Sequence, residues 1–187
     1  ECSVDNVRVI LVGACPYHSM KDGIIIADGL CLSCSNTNYP QPSLDYFLSS
    51  IEKELYNGLC VPCNRKFDLS YLSNKEGILL LNAGLTVEQG KPMIHNSLWE
   101  PFMKYLFENV FDTLGVPIVL MGNDAQKLEK YINPFNTILR VSHPASAAYK
   151  NEDYWDSKGI FKQLDEILLY KHGKGISWFD EEELLPF

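Results

Sequence analysis

A three-layer αβα fold around a central, mostly parallel four-stranded sheet is what this sequence predicts. Two observations carry that expectation. Four short apolar runs, rich in β-branched residues, recur along the chain, and segments with apolar residues at helical spacing separate them. Strands that alternate with helices build parallel sheets covered on both faces. A third observation locates function. Each apolar run ends on a glycine or a polar residue, and open α/β sheets bind ligands beyond the carboxyl ends of their strands.

The first run is Val7-Arg8-Val9-Ile10-Leu11-Val12, closed by Gly13. Its continuous apolar character suits a strand buried on both faces. A loop with Pro16 and Gly23 follows, and residues 29–33 form a second, shorter strand candidate. After the rigid Tyr39-Pro40-Gln41-Pro42 segment, Ser43 is placed to cap a helix running to about Tyr56. Leu44, Phe47, Leu48, Ile51 and Leu55 form its apolar stripe. Residues 57–74 read as loop. Ile78-Leu79-Leu80-Leu81-Asn82 is a buried strand, and residues 99–114 are an amphipathic helix. Residues 118–122 and 137–141 are the remaining core strands, with a short helix over 124–131 between them and a last helix over 157–170. No repeat or linker divides the chain, so residues 1–187 are expected to form one domain.

Composition narrows the function classes. A hydrophobic fraction of 46% is enough for a proper core, and no apolar run approaches a membrane span. The expected setting is the cytoplasm, or the nucleus in a eukaryote, and the expected state a monomer without membrane contact. The net charge of -8 argues against a surface built to grip phosphates, whose affinity comes from Lys and Arg releasing counterions. A local cleft can still take nucleic acid. Cys31/Cys34 and Cys60/Cys63 both have the CxxC spacing of a zinc site. If Cys31 and Cys34 share a strand, however, they point to opposite faces and cannot easily share a metal. Buried free thiols are the favoured reading, with zinc left open as the alternative.

Five motifs then follow one another. They are Gly13-Ala14-Cys15-Pro16-Tyr17-His18, Ala27-Asp28-Gly29-Leu30-Cys31-Leu32-Ser33, Leu79-Leu80-Leu81-Asn82-Ala83, Gly122-Asn123-Asp124-Ala125-Gln126-Lys127 and His143-Pro144-Ala145-Ser146-Ala147. Each is weak alone. In this order, at or beside strand ends, they resemble family 1 of the uracil-DNA glycosylase superfamily across nearly the whole chain. The family usually carries a further helical segment ahead of the first strand, which these 187 residues do not include.

The resemblance implies an enzyme that flips uracil or a related pyrimidine from single-stranded or duplex DNA and hydrolyses its N-glycosidic bond, with no metal or organic cofactor. Flipping is needed because the reacting atom is buried in the base stack. It assigns Asn82 to the uracil amide edge, since a side-chain amide offers both a donor and an acceptor. Tyr17 blocks the thymine methyl. His143 stabilises the anion of the departing base, and Ser43 holds backbone phosphate. Gly122, Asn123 and Ser146 lie in the DNA-contacting loops.

The same resemblance exposes departures. Cys15 stands where the family has an aspartate that orients water and stabilises the sugar cation. Ala14 replaces the adjacent glutamine, and Leu32 the phenylalanine that stacks on the base. Ala147 stands at the leucine wedge, and Ala145 at a phosphate-contacting serine. Ala14, Cys15 and Leu32 all shrink side chains, which implies a pocket wide enough for a base larger than uracil. Related branches without this aspartate work through backbone and histidine groups or another carboxylate. Asp28 and Asp124 are the candidates here, against plainer readings as a turn residue and a helix N-cap. His18 and His95 read as structural. The alternative to a slow, diverged enzyme is a glycosylase fold kept as a DNA-binding or protein-binding module. The acidic tail Glu181-Glu182-Glu183-Leu184-Leu185-Pro186-Phe187 offers one docking segment for a protein partner, and an ordinary chain end is its plain reading.

Overall fold

In the computed structural model, residues 3–37, 39–58 and 67–179 are described. Cys60, Cys63 and the acidic tail lie outside them. The sheet has four parallel strands in the order β4-β1-β5-β6: β1 Val9–Gly13, β4 Ile78–Asn82, β5 Ile118–Met121 and β6 Ile138–Val141. Alternation along β1 and β5 sends side chains into two separate cores. Val9, Leu11, Val119 and Met121 face one, with α1 (Pro42–Leu55) and α6 (Ile160–His172). Ile10, Val12, Ile118 and Leu120 face the other, with Met103 of α3 (Asn96–Tyr105), Phe107 and Phe111. The three-layer αβα expectation holds, because a central parallel strand can be apolar at every position only if both faces are covered.

Trp155, Phe47, Phe161 and Trp178 form an aromatic cluster in the first core, with Phe161 and Trp178 edge-to-face at 4.9 Å between centroids. Each such pair adds about 1 kcal/mol beyond the area it buries. α1 presents Leu44, Phe47, Leu48 and Ile51 to this core, the stripe read from the sequence, and Leu55 is partly buried beside it.

Several local expectations are corrected. Residues 29–33 are not a strand; they wind as turns against the sheet, with only Cys31 N–H bonded to Leu80 O at 3.2 Å. Asp28 explains why. Its carboxylate accepts from Leu30 N–H, Ser33 Oγ, Ser35 N–H and Ser35 Oγ, which curls the backbone around one side chain. Ser43 does not cap α1. Gln41 precedes the helix, Pro42 occupies its first turn and Ser43 is already inside it. Asp124 is likewise inside α4 (Gly122–Gln126) and not at its cap. The helix expected over 99–114 starts at Asn96 and rewinds as a π-helical stretch, Leu106–Phe111. The last helix starts at Ile160, after Gly159 at φ 72°.

Short elements escaped the periodicity. These are a hairpin, β2 (Met20–Lys21) and β3 (Ile24–Ile25), α2 (Ser70–Asn74) and α5 (Ala145–Lys150). No helix among the described residues is long and apolar enough to cross a membrane.

Candidate active site

The four strand ends converge. β1 and β4 run in register from Val9 opposite Ile78 to Gly13 opposite Asn82. Ala83 N–H to Gly13 O (2.9 Å) and Gly84 N–H to Ala14 O (3.1 Å) continue the ladder into the loops. Gly13 is required here: a Cβ on it would lie 2.3 Å from Cys31 Sγ and 3.1 Å from Asn82 Oδ1. Asn82 is thereby pressed against the first loop, where its side chain lines a small buried cavity. Asn82 is only 5% exposed, and its side-chain amide offers both a donor and an acceptor to that cavity.

Cys15, Tyr17, Leu32 and His143 share that cavity with Asn82. His143 follows β6, and neighbours fix it from three sides. Trp155 Nε1–H donates to Ser142 Oγ (2.9 Å) and Ser142 O (3.1 Å), tying the preceding residue to the aromatic core. Gln126 Nε2 donates to Val141 O at 2.9 Å. Gly122, at φ 82°, packs so tightly that a Cβ would sit 2.9 Å from His143 Cβ. Ala145 N–H donates to His143 Nδ1 at 3.2 Å, which leaves the proton of the neutral ring on Nε2. Burial pushes the imidazole pKa down to about 4 despite the nearby Asp124 charge. His143 is therefore a neutral donor at pH 7.

Tyr17 is also locked. Its hydroxyl donates to Leu32 O at 3.0 Å. With that proton committed, Ser43 Oγ–H donates to the phenol oxygen at 2.9 Å. Burial raises the phenol pKa, so it stays neutral. Leu32 itself sits at φ 66°, a left-handed conformation costing about 1–2 kcal/mol for a residue with a Cβ. Tyr17 thus holds a strained backbone in place. Cys15 is half-buried, and desolvation raises its thiol pKa, so it carries no charge at neutral pH.

The cavity measures about 20 Å³, room for about one water. Leu30, Cys31 and Leu32 form one wall of this cavity. Outside it opens a cleft of about 410 Å³, which shares Cys15, Pro16, Tyr17 and His143 as a common wall. Ala14, Ser43, Gly122, Asn123, Ala145 and Ser146 line this outer cleft.

Two expected DNA contacts are placed otherwise. Ala147 is 0% exposed and packs into the core, so it is not presented to a strand in the cleft. Ser43 is 5% exposed and its hydroxyl proton points to Tyr17. Tyr149, 86% exposed at the end of α5, reaches the cleft instead, and sequence reasoning passed over it. So does His18, set aside as structural, whose Nδ1 is buried without a partner. Its place directly after Tyr17 was the available signal. Cys31 and Cys34 are buried free thiols, with burial raising their pKa values to about 12 and about 11. No cluster of three or more metal-ligating side chains occurs among the described residues.

Comparison with known proteins identifies relatives of the chain. No protein-family model matches the chain. It is 33% identical over 181 residues to a uracil-DNA glycosylase of Pseudomonas paraeruginosa, covering 94% of the chain and 72% of that protein. It is 35% identical over 181 residues to the uracil-DNA glycosylase of Amoebophilus asiaticus, covering 95% and 77%. Among solved structures, mimivirus uracil-DNA glycosylase superimposes with a TM-score of 0.81 at 21% identity, over 94% of this chain and 68% of that one.

Proposed function

The chain belongs to the uracil-DNA glycosylase family, and from that premise we propose that it hydrolyses the N-glycosidic bond of uracil, or a closely related pyrimidine, flipped out of DNA. One observation carries the reading: a buried amide residue (Asn82), a locked phenol ring (Tyr17) and a neutral imidazole donor (His143) face one cavity at the strand ends. Asn82 pairs with the amide edge of uracil, which an amide complements and cytosine does not. The Tyr17 ring stands where a 5-methyl group would enter. As the bond to the sugar lengthens, negative charge gathers on the base, and His143 Nε2–H donates to its oxygen. A preorganised donor in a desolvated site contributes more there than water could.

Cys15 stands at the aspartate position of the family motif and leaves it without charge. Asn123, Ser146 and the Gly122 backbone hold the strand in the outer cleft. A base fits the inner cavity only when the Leu30-Cys31-Leu32 wall moves outward. Slow turnover is the consequence, because that motion is added to the cost of flipping.

The test is base release. The protein is incubated with single-stranded and duplex oligonucleotides carrying uracil or a modified pyrimidine, and abasic sites are then cleaved with alkali. Strand breaks are expected, with the rate falling about 100- to 1,000-fold in His143→Ala. No break on any substrate, beside an active control enzyme, would move the assignment to a binding module on the same fold.

A further inference from the structure

Hydrolysis needs negative charge opposite the cationic sugar and a group to hold the attacking water. Neither is available at Cys15, a half-buried thiol that desolvation keeps protonated. The two carboxylates in the motif loops differ sharply in what they can offer. Asp28 is consumed by the turn it organises, with two backbone N–H groups and two hydroxyls on its oxygens, and it lines neither the cavity nor the cleft. Asp124 lines the outer cleft together with Cys15 and His143, and it is the sole carboxylate among the described residues that do. Its Oδ1 pairs with Lys127 Nζ at 2.7 Å, and the side chain is 25% exposed. Its charge reaches both walls of the site, opposing ionisation of Cys15 and favouring protonation of His143.

We propose that Asp124, on the first turn of α4, supplies the charge and the water contact that Cys15 cannot, as the carboxylate of this active site. The inference rests on the glycosidase reading above. In the step it serves, the C1′–N1 bond breaks and its electron pair leaves on the base as an anion hydrogen-bonded to His143. The sugar cation forms facing Asp124. A water oxygen held by the Asp124 carboxylate bonds to C1′, and its released proton ends on the base. The products are one free base and one abasic sugar, with no oxidant or other co-reactant. Lys127 Nζ pairs with the carboxylate from its exposed side.

Single-turnover rates on a uracil-containing single-stranded oligonucleotide test this. Asp124→Asn keeps the size of the side chain and should lower the rate about 100-fold with half-saturation little changed. Asp124→Ser repeats the removal in case one variant folds poorly, with thermal midpoints checking both. Lys127→Ala breaks the same ion pair but keeps the carboxylate, and should stay within about fivefold of the parent chain, as befits an exposed pair. Adding Cys15→Asp to Asp124→Asn should recover at least about tenfold, because the charge returns on the opposite wall. Folded Asp124→Asn and Asp124→Ser proteins that both retain parental rates would overturn the inference while leaving the glycosidase reading intact. A parent chain that releases no base sinks that underlying reading instead, and this one with it.

Discussion

The inner cavity and the outer cleft share a wall but are built in opposite ways. Inside, every polar group is fixed by something behind it: His143 by Ala145 N–H and the Trp155–Ser142 bonds, Tyr17 by Leu32 O and Ser43, Asn82 by the close approach of Gly13. Outside, the lining carries little charge. Neither Lys nor Arg lines the cleft among the described residues, its one carboxylate is Asp124, and its most exposed aromatic is Tyr149. On the glycosidase reading, the difference predicts that the groups reading the base are held in place before it arrives, while the grip on the DNA backbone is weak and sequence-tolerant. Phosphate binding without cations releases few counterions, so affinity there should be modest and only weakly dependent on salt.

The largest way to break this contrast is to disturb the inner wall. Gly122→Ala places a Cβ at φ 82° and 2.9 Å from His143 Cβ. Left-handed strain and overpacking together should cost roughly 2–5 kcal/mol. His143 must shift, so base release should fall along with the chemical-denaturation midpoint. A stable, fully active Gly122→Ala protein would show that His143 is less tightly placed than its contacts require.

A somewhat smaller effect comes from pH. The folded pKa of His143 is depressed to about 4, below its ordinary value near 6.5. Above 6.5 the ring is neutral in both folded and unfolded chains, and no penalty arises. As pH falls through 6.5 toward 4, the unfolded chain takes up the proton first, and stability drops by about 3 kcal/mol, fully lost below 4. Thermal midpoints between pH 7 and 4 should fall more steeply in the parent chain than in His143→Ala. Parallel curves for the two would remove the buried-neutral assignment.

The smallest expected effect sharpens the boundary between the regions. Ser43→Ala deletes the bond to Tyr17 and should cost about 1 kcal/mol of stability. If Ser43 positions Tyr17, discrimination between uracil and thymine should weaken several-fold while affinity for an undamaged strand stays constant. Loss of strand affinity with intact discrimination would return Ser43 to a phosphate-binding role.

Legibility followed the same line between inside and outside. Asn82 and His143 stand out in sequence because each terminates a strongly apolar strand, and strand ends in a parallel sheet meet at one edge. Tyr17 was legible from its motif but not its lock, since the Leu32 carbonyl and the Ser43 hydroxyl reach it from residues 15 and 26 positions away. Ala147 was misplaced because α5 is only six residues long, too short for periodicity to say which side faces the core. Residues 29–33 have the composition of a strand, and a single side chain, Asp28, overrides it.

By itself, then, the sequence determined the layers and the strand ends, because apolar periodicity and β-branched runs are local and the central strands must bury both faces. It also determined which chemical groups stand at those ends. Only the tertiary structure decided the state of each group: which nitrogen of His143 carries a proton, that the cavity closes to about 20 Å³, and that Asp124 faces the site while Asp28 turns away. The physical reason is that burial, hydrogen-bond partners and neighbouring charge come from residues remote in the chain, and no window along the sequence contains them.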